Sequence, residues 1–592
     1  MHLEVGIAVD RGPRRLVAEA LAAAVPRGCA ERDQVHAGKR IYEPEAVADE
    51  RADERARRTV EVQHAQPEGP LSRCLPPARL EGREAGDHER GAEEESRLAE
   101  QLRERRDHED RRHEVDQPGQ HARPQRSGTG RFICHSRRQA IDMLSARDDP
   151  TTSDPFQRLA DSCPATREAS GVKRHDVLVV GAGIAGLRAA LAAHARGVDV
   201  AIVSKLHPVR SASHAANVGI LAGSDPEITL RQLLEAGQGL AVRASSERLA
   251  RGLAAAVRDV EGAGGIAHGP LVGQRALQGL YGLVVRAAIP VYEELQLVEL
   301  CVEGGRCSGA IAWDVVAGRM VGVTAQATVI ASGGLGRIYG STPRAATGDG
   351  TAIAWRAGAA LRDMEFVQFA AGVARSHLGG IDVDADGRST IVGLYAAGEA
   401  ACSGAHGAAG LEGALLAEAL VLGSAAGAAA ASTVVELPGD ELVPEARVAA
   451  AEERVLGLLG RGDGERPSAL RAELHELMVE GAGPQRSEAG LELALERIQT
   501  LRVRAERLRI DDRSRRFNTA LVGALELESL LALAECIATG ALARVESRGV
   551  HRRSDHPERD DARFQRHALI WCDAGQVRLD LSAGSLQAVS AR

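Results

Sequence analysis

HDVLVVGAGIAGLRAALAAHARGVDVAIVSK (175–205) decides the fold. The run HDVLVV (175–180) is short, apolar and β-branched, as a strand buried on both faces should be. It leads straight into GAGIAG (181–186), an Ala/Leu-rich helical stretch LRAALAAHARG (187–197), and a second strand, VDVAIVSK (198–205). That is a β-α-β unit whose turn carries G-x-G-x-x-G. Gly181 allows the tight turn, Gly183 lets a pyrophosphate approach the backbone, and Gly186 lets the helix pack on the strand. The amides of Ala182, Ile184 and Ala185 open a helix whose positive end favours phosphate. A chain with 65 glycines has many Gly-rich turns, so the strand and helix on either side carry the assignment to a dinucleotide site.

Working outward, QATVIASGG (326–334) and STIVGLYAAGE (389–399) read as further buried strands ending in Gly-rich turns. Beyond about residue 440 the texture turns helical. Leu491, Leu495, Ile498, Leu501, Ala505 and Leu508 share one helical face, and NTALVGALELESLLALAECIA (518–538) reads as another amphipathic helix. Ala419–Val435 is the longest charge-free apolar stretch. Its 17 residues fall short of the ~20 that a membrane span needs, so a buried helix and no direct membrane span are expected.

Upstream of Gly171 the character is different. Between 81 and 115, Asp, Glu and Arg make up 21 of 35 residues, too polar to offset chain entropy by burial. Three readings of 1–171 stay open: a disordered tail, a charged solvent helix, or sequence upstream of the true start. The last accords with the base composition of a GC-rich gene, since only three of the 73 basic residues are Lys. The net charge of −9 argues against nucleic-acid or anionic-membrane binding, which needs a basic surface. Nine cysteines occur without a C-x-x-C pair, so neither a disulfide framework nor a metal site is expected, and the compartment reads as reducing and cytoplasmic.

An NAD site usually ends its second strand in Asp or Glu, but Ser204-Lys205 stands there. KLHPVRSASHAANVGI (205–220), ASGGLGRIYG (331–340), ATGDGTAIAWRAGAALRDMEFVQF (346–369), GLYAAGEAACSGAHGA (393–408) and RVESRGVHRRSDHPERDD (544–561) follow in order. In these segments the chain resembles the flavoprotein subunits of succinate dehydrogenase and fumarate reductase, a family that includes L-aspartate oxidase. The resemblance runs from about 173 to 570 and implies FAD. It implies cofactor contacts at Ser204, Lys205, Ser211, Gly219, Asp349, Glu399, Leu415 and Leu416 besides 181–186. The bland alternatives are that Asp349 caps its helix and that Glu399 is a turn residue. The expected fold is an α/β, Rossmann-like FAD-binding domain of the glutathione-reductase type over 172–435 with a vestigial capping region. A helical C-terminal domain over 440–570 and a tail over 571–592 follow.

The departures from the family pattern are equally specific. Members with covalent FAD carry R-S-H-T, where this chain has Arg210-Ser211-Ala212-Ser213, so non-covalent FAD is expected; His214 would substitute only in a shifted loop. The family follows F-V-Q-F with H-P-T-G, a capping domain bearing a catalytic arginine, and H-Y-x-M-G-G-I. Here seven residues separate Phe369 from His377 of SHLGGI (376–381), so the capping domain is expected to be missing. In HGAAGLEGALL (406–416), Gly410 replaces the arginine that grips the dicarboxylate, and Ala409 and Ala414 replace asparagines. Of the catalytic set His377 is left, and alone it cannot both balance two carboxylates and donate a proton. Arg548 and His551 are weighed as flavin-side residues against a structural docking role, with docking preferred. The resemblance implies an oxidoreductase passing electrons between a small dicarboxylate-like substrate and a partner, an iron–sulfur subunit through which it would sit at the inner face of the membrane. The alternatives are an L-aspartate oxidase-like enzyme and an FAD-binding remnant without dicarboxylate turnover.

Overall fold

A computed structural model describes residues 172–582, except 218, 222–224, 270, 341–345 and 437–441. The expectations for 1–171 lie outside the described residues. Strand β1 (Lys173–Val180) is followed by helix α1 (Ile184–His194) and β2 (Val200–Val203). Three helices come next, α2 (Pro226–Ala236), α3 (Arg243–Gly262) and α4 (Val272–Arg286), then the short β3 (Val291–Tyr292). A meander follows, β4 (Leu295–Glu303), β5 (Arg306–Asp314) and β6 (Arg319–Ile330). Helix α5 (Asp349–Arg356) leads to β7 (Leu361–Arg362), β8 (Val367–Ala370), β9 (Val373–His377), β10 (Gly380–Asp382), β11 (Leu394–Ala396) and β12 (Ala401–Cys402).

The main sheet has the order β3-β2-β1-β6-β5-β4, with β11 also paired to β6. Strands β3, β2, β1, β6 and β11 are parallel, and β5 and β4 continue antiparallel from β6. Val177 to Val180 pair with Val200 to Val203 on one side and with Ala327 to Ile330 on the other. Val177, Leu178, Val179 and Val180 are all buried, as the apolar run requires of a central parallel strand. In this register Val180, Val203, Ile330 and Ala396 end along one edge, where open α/β sheets bind their ligands. The stretch 389–399 contributes only Leu394–Ala396 as strand. Residues 389–393 instead form a turn in which Ser389 N donates to Leu394 O.

One face of the sheet is covered by α1 and by α6 (Ala414–Glu436). A Cβ on Gly423 would stand 2.7 Å from Ala185 O and one on Gly427 2.0 Å from Ala189 O, so these glycines permit the two helices to touch along their backbones. Within α6, Ala414–Val435 is long and apolar enough to cross a membrane, but 67% of its most apolar stretch is buried inside the chain. It is a core helix here.

Helices α7 (Glu445–Gly460), α8 (Pro467–Gly481), α9 (Glu488–Ala505) and α10 (Thr519–Ala543) follow, then the single turn α11 (Asp561–Phe564), β13 (His567–Asp573) and β14 (Gln576–Ser582). The face expected on α9 is the packed one: Leu491, Ile498 and Leu501 are fully buried. The expectation for 518–538 needs correcting. α10 is buried on nearly every side, because it is wedged between α5 and the pair α8 and α9, and it has no wide polar face. The tail expected from 571 is also corrected. A boundary at 570 cuts through β13, which pairs with β14 and, through Leu569 and Ile570, with β7. The second sheet, β12-β10-β7-β13-β14, thus joins strands from the middle of the described chain to its C-terminal hairpin. Ala574 and Gly575, both with positive φ, make its two-residue turn.

Candidate functional site

Each glycine of the 181–186 turn is required for a different reason. Gly181 has φ +111°, and a Cβ there would lie 2.3 Å from Ala331 O at the end of β6. A Cβ on Gly186 would lie 1.9 Å from Gly181 O, so the third glycine lets α1 rest on the turn. Gly183 is in an ordinary extended conformation, and its Cβ would face the hydroxyls of Ser213 at 3.2 Å and Ser211 at 4.0 Å. The first and third glycines therefore serve the fold, while the second keeps open the approach between the helix end and the 211–213 loop. Ser213 Oγ accepts from Ile184 N at 3.2 Å, which marks that amide as a donor directed at the loop.

Other expected cofactor residues gather along the same strand edge. Glu399 lies in a 3₁₀ turn (Gly398–Ala400) against Gly334, whose Cβ would stand 2.9 Å from Glu399 Oε2. Burial, with the nearby Glu418 adding to it, pushes the Glu399 carboxyl up to about 7. Gly398 brings this turn against Ala185 of α1, and Gly219 abuts Gly413 just before Leu415 and Leu416 at the start of α6. Ser204 is buried at the end of β2, where its hydroxyl donates to Leu206 O at 2.6 Å.

Lys205 and Asp349 meet each other instead of standing free. Lys205 Nζ lies 2.7 Å from Asp349 Oδ2, 2.7 Å from Thr347 Oγ1 and 2.9 Å from Glu526 Oε1 of α10. Burial opposes the lysine charge, but Asp349 and Glu526 outweigh it and hold its pKa above the usual lysine value. Burial likewise works against the Asp349 charge, and Lys205 overcomes it, so that carboxyl lies below its ordinary range. The capping alternative for Asp349 fails, because the capping position is held by Gly348 and the Asp349 carboxylate accepts from Thr347 and Lys205 instead.

FAD can be tested against these residues. Ser211 Oγ, Ser332 Oγ and Asp349 Oδ1 are buried without a hydrogen-bond partner, a costly condition that ligand oxygens and hydroxyls would relieve. All three lie next to residues of the strand edge or of the 181–186 turn, and Gly183 leaves room there. The residues fit a dinucleotide with phosphates at the turn and sugar hydroxyls near carboxylates.

Two descriptions of known families match the chain. One, "FAD binding domain", covers residues 176–266, 266–373 and 371–416, and the other, "Fumarate reductase flavoprotein C-term", covers 471–591. The chain belongs to the flavoprotein subunit family of succinate dehydrogenase and fumarate reductase. FAD is its cofactor, and it is an FAD oxidoreductase of that type. The fumarate reductase flavoprotein subunit of Mycobacterium tuberculosis is 28% identical over 552 positions, covering 67% of this chain and 94% of the relative. The succinate dehydrogenase flavoprotein subunit of Coxiella burnetii is likewise 28% identical, over 560 positions. Among solved structures, Escherichia coli quinol fumarate reductase matches with a TM-score of 0.65 and 25% identity, over 69% of this chain and 97% of that one. Nearly the whole relative is spanned by only two thirds of this chain, so the relatives carry a long stretch without a counterpart here. The structure puts a hairpin between Phe369 and His377: β8 and β9 joined through Ala371 and Gly372, both with positive φ. No room for a separate domain exists in that turn.

His377 is 3% exposed, and both of its ring nitrogens face main-chain carbonyls, Nδ1 at 2.5 Å from Gly379 O and Nε2 at 3.1 Å from Met364 O. Burial lowers its pKa to about 4, despite the two carbonyls. The neutral ring donates from one nitrogen only, so it bonds one of the two carbonyls and its other nitrogen faces a carbonyl without a hydrogen bond. Counted back from Gly379-Gly380-Ile381, the histidine of H-Y-x-M-G-G-I falls on Arg375, two residues before His377. That register was the signal the sequence reading missed. Gly410 is walled by neutral groups, with Gln368 Oε1 and Leu378 Cδ2 each 3.2 Å from where its Cβ would be.

The C-terminal motif serves the docking role. Arg544 Nε donates to Glu365 at 2.6 Å, and Arg548 donates to Glu546 at 2.7 Å and to Asp561 at 2.8 Å. His551 Nδ1 accepts from Arg486 at 2.7 Å while its Nε2 donates to Arg544 O at 3.0 Å. Burial, and then Arg486, hold its pKa well below the ordinary value, so the ring is neutral.

Proposed function

We propose that this chain is the FAD-bearing subunit of an electron-transfer assembly, passing electrons between a small carboxylate substrate and an iron–sulfur subunit. In this reading it resides in the cytoplasm and reaches the inner face of the membrane through that partner. The observation that carries it is the strand-edge cradle, in which Gly183 leaves room beside the α1 N-terminus and three buried polar atoms lack partners. The amides of Ala182, Ile184 and Ala185 would hold the pyrophosphate. Ser204, Lys205, Ser211, Gly219, Asp349 and Glu399 would contact sugar and ribityl hydroxyls, and Leu415 and Leu416 would bound the ring. FAD, when bound, supplies two-electron chemistry. The chain's own part is to fix the cofactor, to exclude water at the strand edge, and to offer a substrate-facing wall.

Attachment is proposed to be non-covalent. Ala212 stands in a 3₁₀ turn (Ala212–Ala215) and has no nucleophile, and His214 on the same turn is exposed. Purified protein should be yellow, and acid precipitation should release the flavin into the supernatant. Colour that stays with the pellet refutes non-covalent attachment, and colourless native protein refutes the cofactor site. A second reading, FAD binding without dicarboxylate turnover, is favoured by the burial of His377 and by Gly410. Reduced-dye oxidation with fumarate separates the two, and peroxide formation from L-aspartate tests the oxidase alternative.

A further inference from the structure

We infer that Arg375 is the anchor for the substrate's carboxylate, and that it grips one carboxylate only, so a monocarboxylate binds as well as a dicarboxylate. This rests on the flavin reading above.

The hairpin itself makes the case. Val367 pairs with His377 and Gln368 with Ser376, but Phe369 pairs with Ala374, so Arg375 is an extra residue with no partner across the strand. A bulge of this kind re-aims the side chain that it carries. Arg375 is exposed and lines a narrow hollow of about 30 Å³ that opens to solvent, together with Gly334, Tyr339, Ser376, His377 and Glu399. The hollow therefore reaches from a residue proposed to contact the cofactor to the bulged arginine.

Other exposed arginines, such as Arg251 and Arg275, also lack a partner among the described residues, so it is the place of Arg375 on the hollow that sets it apart. Arg544, Arg548 and Arg553 each have a carboxylate partner, whereas Arg375 has neither an ion pair nor a hydrogen bond among the described residues. Glu399, the one acid lining the hollow among the described residues, is not paired with it, and its pKa near 7 weakens its competition for the guanidinium. A planar guanidinium with free donors suits a carboxylate, which can accept two parallel bonds. No second cation lines the hollow among the described residues, and around Gly410 the neighbours are Gln368 and Leu378. The second carboxylate of succinate would thus meet neutral groups and gain little over the methyl end of butyrate.

The test uses the full chain as purified, with FAD per chain measured first, followed by calorimetric titration with butyrate, crotonate and succinate. The wild type should bind succinate and butyrate with Kd values within about threefold. Arg375→Gln should weaken both by about tenfold or more, as loss of a charge-assisted pair implies. Arg375→Lys should recover part of that loss, and both variants should keep the wild-type FAD content and Tm. The inference is overturned if the wild type binds none of the three, if Arg375→Gln binds them unchanged, or if succinate binds tenfold tighter than butyrate. Loss of FAD from Arg375→Gln also overturns it, because the arginine would then belong to the cofactor. A wild type without FAD sinks the flavin reading instead, and calorimetry still reads the anchor because heat does not depend on flavin colour.

Discussion

Replacing the three glycines of the 181–186 turn by alanine, one at a time, should separate folding from cofactor binding. Gly181→Ala puts a side chain at φ +111°, with its Cβ 2.3 Å from Ala331 O. The backbone conformation alone costs about 1–2 kcal/mol, and relieving the clash about 1–3 kcal/mol more. Gly186→Ala has no unfavourable φ, but its Cβ would be 1.9 Å from Gly181 O, a backbone atom that cannot rotate away. Taking about 3 kcal/mol and an unfolding entropy of roughly 2.1 cal/mol/K per residue over about 400 residues, the melting temperature should fall by about 4 °C. Gly183→Ala is different. Its backbone is extended, and its nearest neighbour is a serine hydroxyl at 3.2 Å that can turn aside, so the stability of the apoprotein should change by less than about 1 kcal/mol. The new methyl would nevertheless stand where phosphate must approach the α1 N-terminus. FAD content should drop, with affinity weakened by about tenfold or more, equivalent to about 1.4 kcal/mol. The assays are thermal unfolding of the deflavinated protein and FAD per chain by absorbance. Full FAD occupancy in Gly183→Ala would refute the cradle, and unchanged melting of Gly181→Ala would refute the packing.

Two further expectations concern buried groups. His377 has its folded pKa lowered to about 4 from 6.5, so its contribution is fully present above pH 6.5 and is lost as pH falls towards 4. The loss should approach about 3 kcal/mol, and His377→Gln should flatten the stability profile between pH 6.5 and 4 in denaturant titrations; an equally steep profile would show that another group is responsible. Removing Glu365 leaves Arg544, fully buried, without its closest acid. Glu365→Leu should cost about 3–5 kcal/mol in chemical unfolding, whereas replacing the pair together as Glu365→Leu with Arg544→Met should cost much less; equal losses would show that the pair is not coupled.

The β-α-β unit, the strand before 331 and the packed face of α9 were readable because each depends on local periodicity and on glycines next to one another in sequence. The shortening between Phe369 and His377 was readable as a count. What misled was α10, whose apolar residues looked like one face until neighbours were found on nearly every side. The 571–582 hairpin was also missed, because β13 is stabilised by β7, some two hundred residues earlier. His377 drew attention by its residue type, while the bulge that turns Arg375 into the hollow exists only in the pairing of two strands.

The sequence by itself determined that this chain carries a dinucleotide turn of the flavoprotein kind and that the dicarboxylate-gripping residues were gone. Both are statements about which atoms are present. Only the tertiary structure decided what the remaining atoms can do. Burial keeps the His377 ring neutral among main-chain carbonyls, carboxylates occupy the C-terminal arginines, and Lys205 spends its charge on Asp349 and Glu526. Charge and hydrogen-bonding capacity are set by distance and desolvation. Those depend on segments far apart in the chain, which no local pattern encodes.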